Sequence, residues 1–503
     1  MKFKLSQAAL LKRNIIANFA GSSFATILGL LFTPVYLYFL GIEAYALIGF
    51  SLLLQGMLQV LDVGLSKTSN REIARLSGMS DFGQNAALML RTFEFIYWGI
   101  ALLIAVSIIG LSSWIATNWL SYSGLMESDV KYAMALMGIN LALQWPVSLY
   151  SGGLLGLEKH VLLNSIISSQ SLLRHVGASL LLWLVEPSIT IFFIWSSVVS
   201  LLQVLVLAFS LWKLIHYENT VVRKRFDISI LMRVWRFSAS VAATQLSAVA
   251  IRQVDKLVLS KLLSLEWFGF YMLASLVASG IGIISMPFSK ALFPRFTKLV
   301  ANKGSKIELT KLYHESCRVV SMIVFPIVIV VSLYSEEVLL LWTQNEYTAS
   351  SVAPILCLLV ISSGLNALVS IPYALQLAYG WSSLAMFQNF ISLCIQVPLI
   401  FYFINTMGVQ GAAVPRIIHN LSYIFILVPI MHMYVQKGEL LEWYIRDIFA
   451  PLFNVLIVCI PIYFAIMSYP EISKWPAIMV SLMGSYLVLY LCGGFQKIFR
   501  DMG

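Results

Sequence analysis

The chain alternates between long apolar runs and short polar punctuation. Fourteen runs of eighteen or more residues are long enough to cross a hydrocarbon layer as helices. They fall at about 14–39, 44–65, 88–111, 132–154, 161–184, 189–212, 234–260, 268–289, 319–342, 351–378, 384–405, 410–434, 448–468 and 476–495. The first two are separated only by a turn at Gly41 and Glu43. The runs lack the ten-residue alternation of an outer-membrane barrel. The expected fold is therefore all-α: a polytopic membrane protein of about fourteen transmembrane helices. The first run is too long for a signal-peptide core and no small-residue cleavage pattern follows it, so it is expected to be retained.

Composition supports this reading. Of 503 residues, 59% are hydrophobic and 11% charged, against about 25% charged in a soluble domain. The net charge of +10 would suggest nucleic acid in a soluble protein. With the N-terminus in the cytoplasm, however, 25 of the 33 Lys and Arg residues fall on the cytoplasmic side. Three (Lys131, Lys261, Lys474) fall opposite and five (Arg91, Arg174, Arg252, Lys256, Arg416) lie within spans. That is the positive-inside distribution. It predicts cytoplasmic N- and C-termini, a multi-pass membrane protein, and no nucleic-acid partner. Trp114, Trp119, Trp212, Trp267, Trp342, Trp443 and Trp475 stand near expected span ends, where amphipathic rings prefer the interface. Cys317, Cys357, Cys394, Cys459 and Cys492 have no pairing pattern and read as small core residues.

Slid against itself by 223 residues, the chain matches Arg13 to Arg236, Glu43 to Glu266, Ser66-Lys67 to Ser289-Lys290 and Arg75 to Lys298. With small drift, Pro146 meets Pro372 and Asn164 meets Asn389. Six spans separate the copies, so both halves share orientation, as in transporters with parallel repeats. The expected organisation is an N-terminal lobe at 1–222, a C-terminal lobe at 223–436 and an additional helix pair at 437–503. A basic connector at 213–233 (Arg223-Lys224-Arg225) joins the lobes. No Walker lysine motif, Gly-rich dinucleotide turn, HExxH or paired-Cys metal site occurs. This predicts transport without ATP hydrolysis, no catalytic residues, no bound cofactor and no metal.

The sharpest chemical signal is ionisable side chains at membrane depth, each costing ~2.5–3.5 kcal/mol if left facing lipid. Arg174 sits mid-span with Gln170 and His175 beside it and no acid within a turn. A guanidinium stays charged at any working pH and its forked donors match phosphate oxygens, so a pyrophosphate-bearing substrate would compensate its desolvation. A cationic drug would require the opposite charge. The candidate cationic cavity is Arg174, Arg252, Arg91, Lys67, Lys290 and Arg416. Candidate counter-charges or coupling-ion groups are Asp62, Glu94, Asp255 and His175. Plainer readings stand beside these. Arg91 and Glu94, and likewise Arg252 and Asp255, are three apart and positioned to pair. Arg416 lies within snorkelling reach of the outer end, and Lys67 and Lys290 fit cytoplasmic rim charges. The amides Gln55, Gln59, Asn140, Gln144, Asn366, Gln376, Gln388, Asn389 and Gln396 suit a sugar collectively. Singly, each suits a helix–helix hydrogen bond better.

Certain stretches also resemble a known family. They are Phe32-Thr33-Pro34, Phe39-Leu40-Gly41-Ile42-Glu43-Ala44-Tyr45, Leu61-Asp62-Val63-Gly64-Leu65-Ser66 and Arg71-Glu72-Ile73-Ala74-Arg75. Asp255-Lys256-Leu257 before Glu266-Trp267-Phe268-Gly269-Phe270-Tyr271 belongs with them. Together they resemble the polysaccharide-export flippases, which include the O-antigen and capsule repeat-unit flippases. That family shares a superfamily with lipid II flippases and multidrug extrusion proteins. Ala46 departs from the Gly often found there. Two more spans are present than in many twelve-span O-antigen flippases. The resemblance implies a V-shaped pair of lobes opening alternately. It implies movement of an undecaprenyl-pyrophosphate-linked oligosaccharide to the outer leaflet, coupled to H⁺ or Na⁺. Membrane lipids and the polymerase and chain-length proteins of the same pathway are the implied partners. A multidrug or cation antiporter of the same fold is the alternative. A membrane glycan polymerase is less supported, because the loops are short and poor in catalytic residue types.

Overall fold

The structure is a computed structural model that describes residues 2–77, 79, 81–215, 246, 249–301, 306–469 and 474–491. Side chains are described from residue 21 onward, save 22, 60, 61, 63 and 64. The connector from residue 216 onward, Arg236, Cys492 and the tail bearing Lys497 and Arg500 lie outside the described residues. Helix dominates the described residues. They form two compact units, 1–269 and 270–503, each described by itself below.

In the first unit, α1 (Lys2–Leu76) carries both of the first two expected spans. It bends at Gly41, whose φ of 74° lies in the region glycine reaches without Cβ strain. The residues that follow in this unit are α2 (Phe82–Trp114), α3 (Glu127–Gly156), α4 (His160–Leu184), α5 (Ile189–Leu214) and α6 (249–262). The turn that links the first two spans is tied to the loop after α2. The Glu43 carboxylate accepts the backbone N–H of Ser123 at 3.0 Å and of Gly124 at 2.7 Å, and the Ser123 hydroxyl at 3.1 Å.

Helix α3 lies at the centre of this bundle, packed on α1, α2 and α5. Its C-terminal glycines explain how close it comes to α1. A Cβ on Gly152 would stand 2.5 Å from the Ser66 carbonyl oxygen, and one on Gly156 2.6 Å from that of Asn70. Small residues let membrane helices approach until their backbones touch. Further up α1, Gly56 leaves room for the Gln253 amide of α6, and Trp119 donates to the Ser260 hydroxyl at 3.1 Å.

The second unit runs through α7 (Leu265–Ala301, mostly within it), α8 (Lys306–Leu333), α9 (Ser335–Thr343), α10 (Glu346–Ala378) and α11 (Ser382–Met407). A 3₁₀ turn (Gly408–Ala413) leads to α12 (Val414–Ser422), and a π-helical turn (Tyr423–Leu427) to α13 (Val428–Tyr434). Next come the short α14 (Leu440–Glu442), a π turn (Trp443–Phe449), α15 (Ala450–Met467) and α16 (Trp475–Leu491). The ninth expected span is broken at Tyr334, which separates α8 from α9. Here α8 packs on α10, α15 and α16. Asn420 of α12 donates to the Ser362 carbonyl at 2.9 Å and hydroxyl at 2.8 Å, and accepts from Asn366 at 3.2 Å. Tyr423 donates to Asn389 at 2.7 Å. For these amides the structure shows the helix–helix role.

Eight helical stretches among the described residues are long and apolar enough to cross a membrane; two of them, Ser23–Gln59 and Ser382–Tyr434, each cover two expected spans. Helices α3 and α4 are of spanning length yet not among the eight. They carry Asn140, Gln144, Gln170, Arg174 and His175, so the least apolar spans are those that hold the polar cluster. Exposed side chains such as Phe95, Leu102, Leu103, Trp183 and Phe209 form the apolar outside that a bilayer requires. Cys317 and Cys459 are buried as small core residues, whereas Cys394 is exposed on α11.

Candidate functional site

The site is built from the four inner helices of the first unit. Asn140 and Gln144 are four apart on α3 and so share a face; Gln144 donates to Asn140 at 3.0 Å. From α1, Gln55 donates to Gln144. From α5, the Ser200 hydroxyl donates to the same Asn140 oxygen at 2.7 Å. From α4, an Arg174 Nη donates to Ser200 at 3.0 Å. One continuous hydrogen-bonded chain thus runs Gln55–Gln144–Asn140–Ser200–Arg174 and ties α1, α3, α5 and α4 together. Asn140 and Ser200 at its centre are buried, where a hydrogen bond is strengthened by the low dielectric.

Next to this chain lies a cavity of about 290 Å³. Its polar lining is Gln55, Gln59, Gln144, Ser148, Gln203, Asp62 and Arg174, with Leu58, Leu141, Trp145 and Val147 as apolar wall. The Arg174 Nε is buried without a hydrogen-bond partner among the described residues. Its one recorded hydrogen bond is spent on Ser200, leaving donor capacity on a group with five N–H donors. Asp62 accepts from the buried Tyr97 hydroxyl at 2.6 Å, which orients the carboxylate on the cavity wall.

The other sequence-predicted residues are placed elsewhere. His175 turns toward α1, where its Nδ1 is 2.8 Å from the Tyr36 hydroxyl and its ring stacks on Phe32 at 5.6 Å. Neighbours in sequence on a helix point about 100° apart, which separates His175 from Arg174. Glu94 accepts from Trp212 at 2.7 Å and Tyr150 at 3.0 Å. Arg91 lies 3.9 Å from Glu94, covers the Trp212 ring at 4.6 Å and is 59% exposed. Lys67 on α1 is exposed. On α6, Arg252 is exposed and Asp255 buried. Lys290 is exposed on α7 and Arg416 half-buried on α12, both in the second unit. The cavity therefore unites Arg174 and Asp62 of the ten candidates. Ser148, Ser200 and Gln203 are participants that sequence reasoning missed. Gln203, a lone amide in the apolar run of α5, was the available signal.

A guanidinium with unused donors, four amides and one carboxylate can hold a phosphate oxygen and several hydroxyls together. Nothing in this set resembles a nucleophile–base pair.

Comparison with known proteins gives this chemistry a context. A Shigella flexneri protein described as an O-antigen transporter is 24% identical over 406 residues, spanning 80% of this chain and 93% of that protein. Among solved structures, the lipid II flippase MurJ in an inward closed conformation superposes with a TM-score of 0.70 at 15% identity. That match covers 96% of this chain and 99% of the other. An inward-facing multidrug resistance transporter of the MATE family gives 0.64 at 14% identity, over 82% and 94%. At such identities these two likenesses concern the fold alone, a polytopic bundle of membrane-spanning helices. Residues 98–352, just over half of the chain, match the model of one family, described as polysaccharide biosynthesis protein. It is to this polysaccharide biosynthesis protein family that the chain belongs.

Proposed function

We propose that the protein is a flippase for a polyprenyl-pyrophosphate-linked oligosaccharide, serving O-antigen, capsule or a related surface polysaccharide. The observation that carries this reading is the N-terminal cavity, where Arg174 meets Gln55, Gln59, Gln144 and Gln203. The guanidinium answers the pyrophosphate and the amides answer sugar hydroxyls. About 290 Å³ stands at the lower end of ligand pockets, ~300–1,000 Å³. It suits the head-group region next to the pyrophosphate, with the polyprenyl tail left in lipid. The reading draws support from the family match and from the description of the Shigella flexneri relative.

Two repeat-related lobes, 1–222 and 223–436, would give alternating access, with 437–503 as an added helix pair. Arg252, Arg91, Lys67, Lys290 and Arg416 belong to the same proposal as further cationic contacts along the path. Asp62, Glu94, Asp255 and His175 are the groups through which H⁺ or Na⁺ coupling would act. The setting is the bacterial inner membrane with both termini cytoplasmic. The polymerase and chain-length proteins of the pathway are the natural partners downstream.

The test is reconstitution in liposomes with a fluorescent polyprenyl-pyrophosphate sugar on one leaflet, beside uptake of a lipophilic cation in the same vesicles. Protein-dependent translocation of the lipid-linked sugar, with no cation transport, is expected. Cation transport without sugar-lipid translocation would replace this reading with the multidrug antiporter.

A further inference from the structure

A second polar cluster lies within the second unit. His314 of α8 is 7% exposed. Its Nδ1 stands 2.5 Å from Oδ2 of the fully buried Asp447, whose other oxygen receives Arg318 at 3.1 Å. Paired with Arg318, the Asp447 carboxylate is an acceptor, so Nδ1 carries the proton and donates. With Nδ1 engaged by Asp447, Nε2 is the ring atom left to take a ligand. That atom has no hydrogen-bond partner among the described residues and lies 3.4 Å from Oε2 of Glu439. Glu442 completes the group: one ligand atom from each of His314, Glu439 and Glu442 lies within 4.8 Å of the others. Arg446 occupies one Glu442 oxygen at 2.8 Å and leaves the second.

Nε2 and the Glu439 carboxylate thus converge at a separation that a shared metal ion would bridge. We propose that His314, Glu439 and Glu442 bind a divalent transition-metal ion. Two ligands on a tetrahedral ion with bonds of ~2.0–2.1 Å are separated by about 3.4 Å, the spacing of Nε2 and Glu439. Glu442 closes by a rotamer change at the end of the short α14. The His314–Asp447 bond is the carboxylate–histidine support that orients metal-bound imidazoles. One nitrogen with two carboxylates selects Zn²⁺ or a similar borderline ion over Mg²⁺ or Ca²⁺, which prefer all-oxygen sites. Gly438, at φ 90°, makes the turn that brings Glu439 to α8. Metal binding clamps α8 to the segment leading into α15.

The test uses full-length, tag-free protein in detergent, stripped with chelator and titrated with Zn²⁺. Bound metal is counted after gel filtration. About one Zn²⁺ per chain is expected. Glu439→Gln with Glu442→Gln should abolish it, and Asp447→Asn should weaken it ~10–100-fold. Should the double variant not fold, Glu442→Gln alone decides, with at least a ~10-fold loss expected, since it removes one of three ligands. Wild-type protein that takes up no Zn²⁺ would assign the position to a proton and overturn the proposal. Equal uptake by the folded variants would overturn it as well.

Discussion

Arg174→Ala is the substitution that most directly probes the cavity. It removes the guanidinium, breaks the 3.0 Å bond to Ser200 and leaves the rest of the hydrogen-bonded chain on Asn140, where Ser200 still donates at 2.7 Å. Folding should therefore survive, because Ser200 keeps a partner and an unpartnered cation is no longer buried. The head group loses its charge-assisted contacts. A hydrogen bond to a charged group contributes ~1.5–3 kcal/mol, equivalent to about 10–150-fold in affinity. Arg174→Lys keeps the charge without the fork and should fall between wild type and Arg174→Ala. The assay is liposome flipping of a polyprenyl-pyrophosphate sugar at matched protein content, with half-saturation measured across substrate concentration. Lys131→Ala is the matched control, since Lys131 pairs with Glu127 outside the cavity lining. Arg174→Ala flipping with unchanged half-saturation and rate would refute the assignment of the cavity to the pyrophosphate.

Further expectations follow from the scaffold. Gly152→Val drives side-chain atoms into the Ser66 carbonyl. It should cost ~1–3 kcal/mol by overpacking, seen as a lower melting temperature in detergent, and wild-type melting would show that α3 and α1 are not in backbone contact. Glu43→Gln weakens the charge-assisted bonds to Ser123 and Gly124. Hydrogen exchange at those two amides should accelerate while α3 stays protected, and unchanged exchange would remove Glu43 as the loop's anchor. Outside the spans, Lys474 donates to Glu337 at 2.5 Å, and that hydrogen bond raises its pKa above the ordinary lysine value. A raised pKa stabilises the fold fully below the unfolded value of ~10.4 and loses that contribution only as pH climbs past the folded one. With the Lys474 side chain 36% exposed, the pair contributes ~0–1 kcal/mol. The melting difference between wild type and Glu337→Gln should thus be small, constant from neutral pH to about 9, and lost only as pH climbs past the raised Lys474 value. A difference that grows with pH would contradict the pairing.

Much of this molecule is determined by its sequence alone. A membrane-spanning backbone must satisfy its own hydrogen bonds, so an apolar run of sufficient length is a helix whatever its neighbours. Each of the fourteen expected spans accordingly meets helix among the described residues. Lys and Arg distribution implied an orientation for the same local reason: charge beside a span acts without reference to folding. Arg174 stood out because burial without a nearby acid is costly wherever it occurs.

What surrounds Arg174 was decided in three dimensions. Ser200 and Gln203 come from the following helix and Gln55 from α1, and no spacing predicts which face each presents to α4. Equally, i,i+3 spacing suggested a partner for Glu94. It could not show that Trp212 and Tyr150 would take the carboxylate at shorter range than Arg91 does. The His314 cluster illustrates the same limit. His314 and Arg318 lie more than a hundred residues before Glu439, Glu442 and Asp447, and only the packing of α8 against the segment leading into α15 brings them into one group. Hydrophobicity acts residue by residue and is legible in one dimension. Polar pairing in a low-dielectric interior depends on direction and contact, and those exist only once the helices have packed.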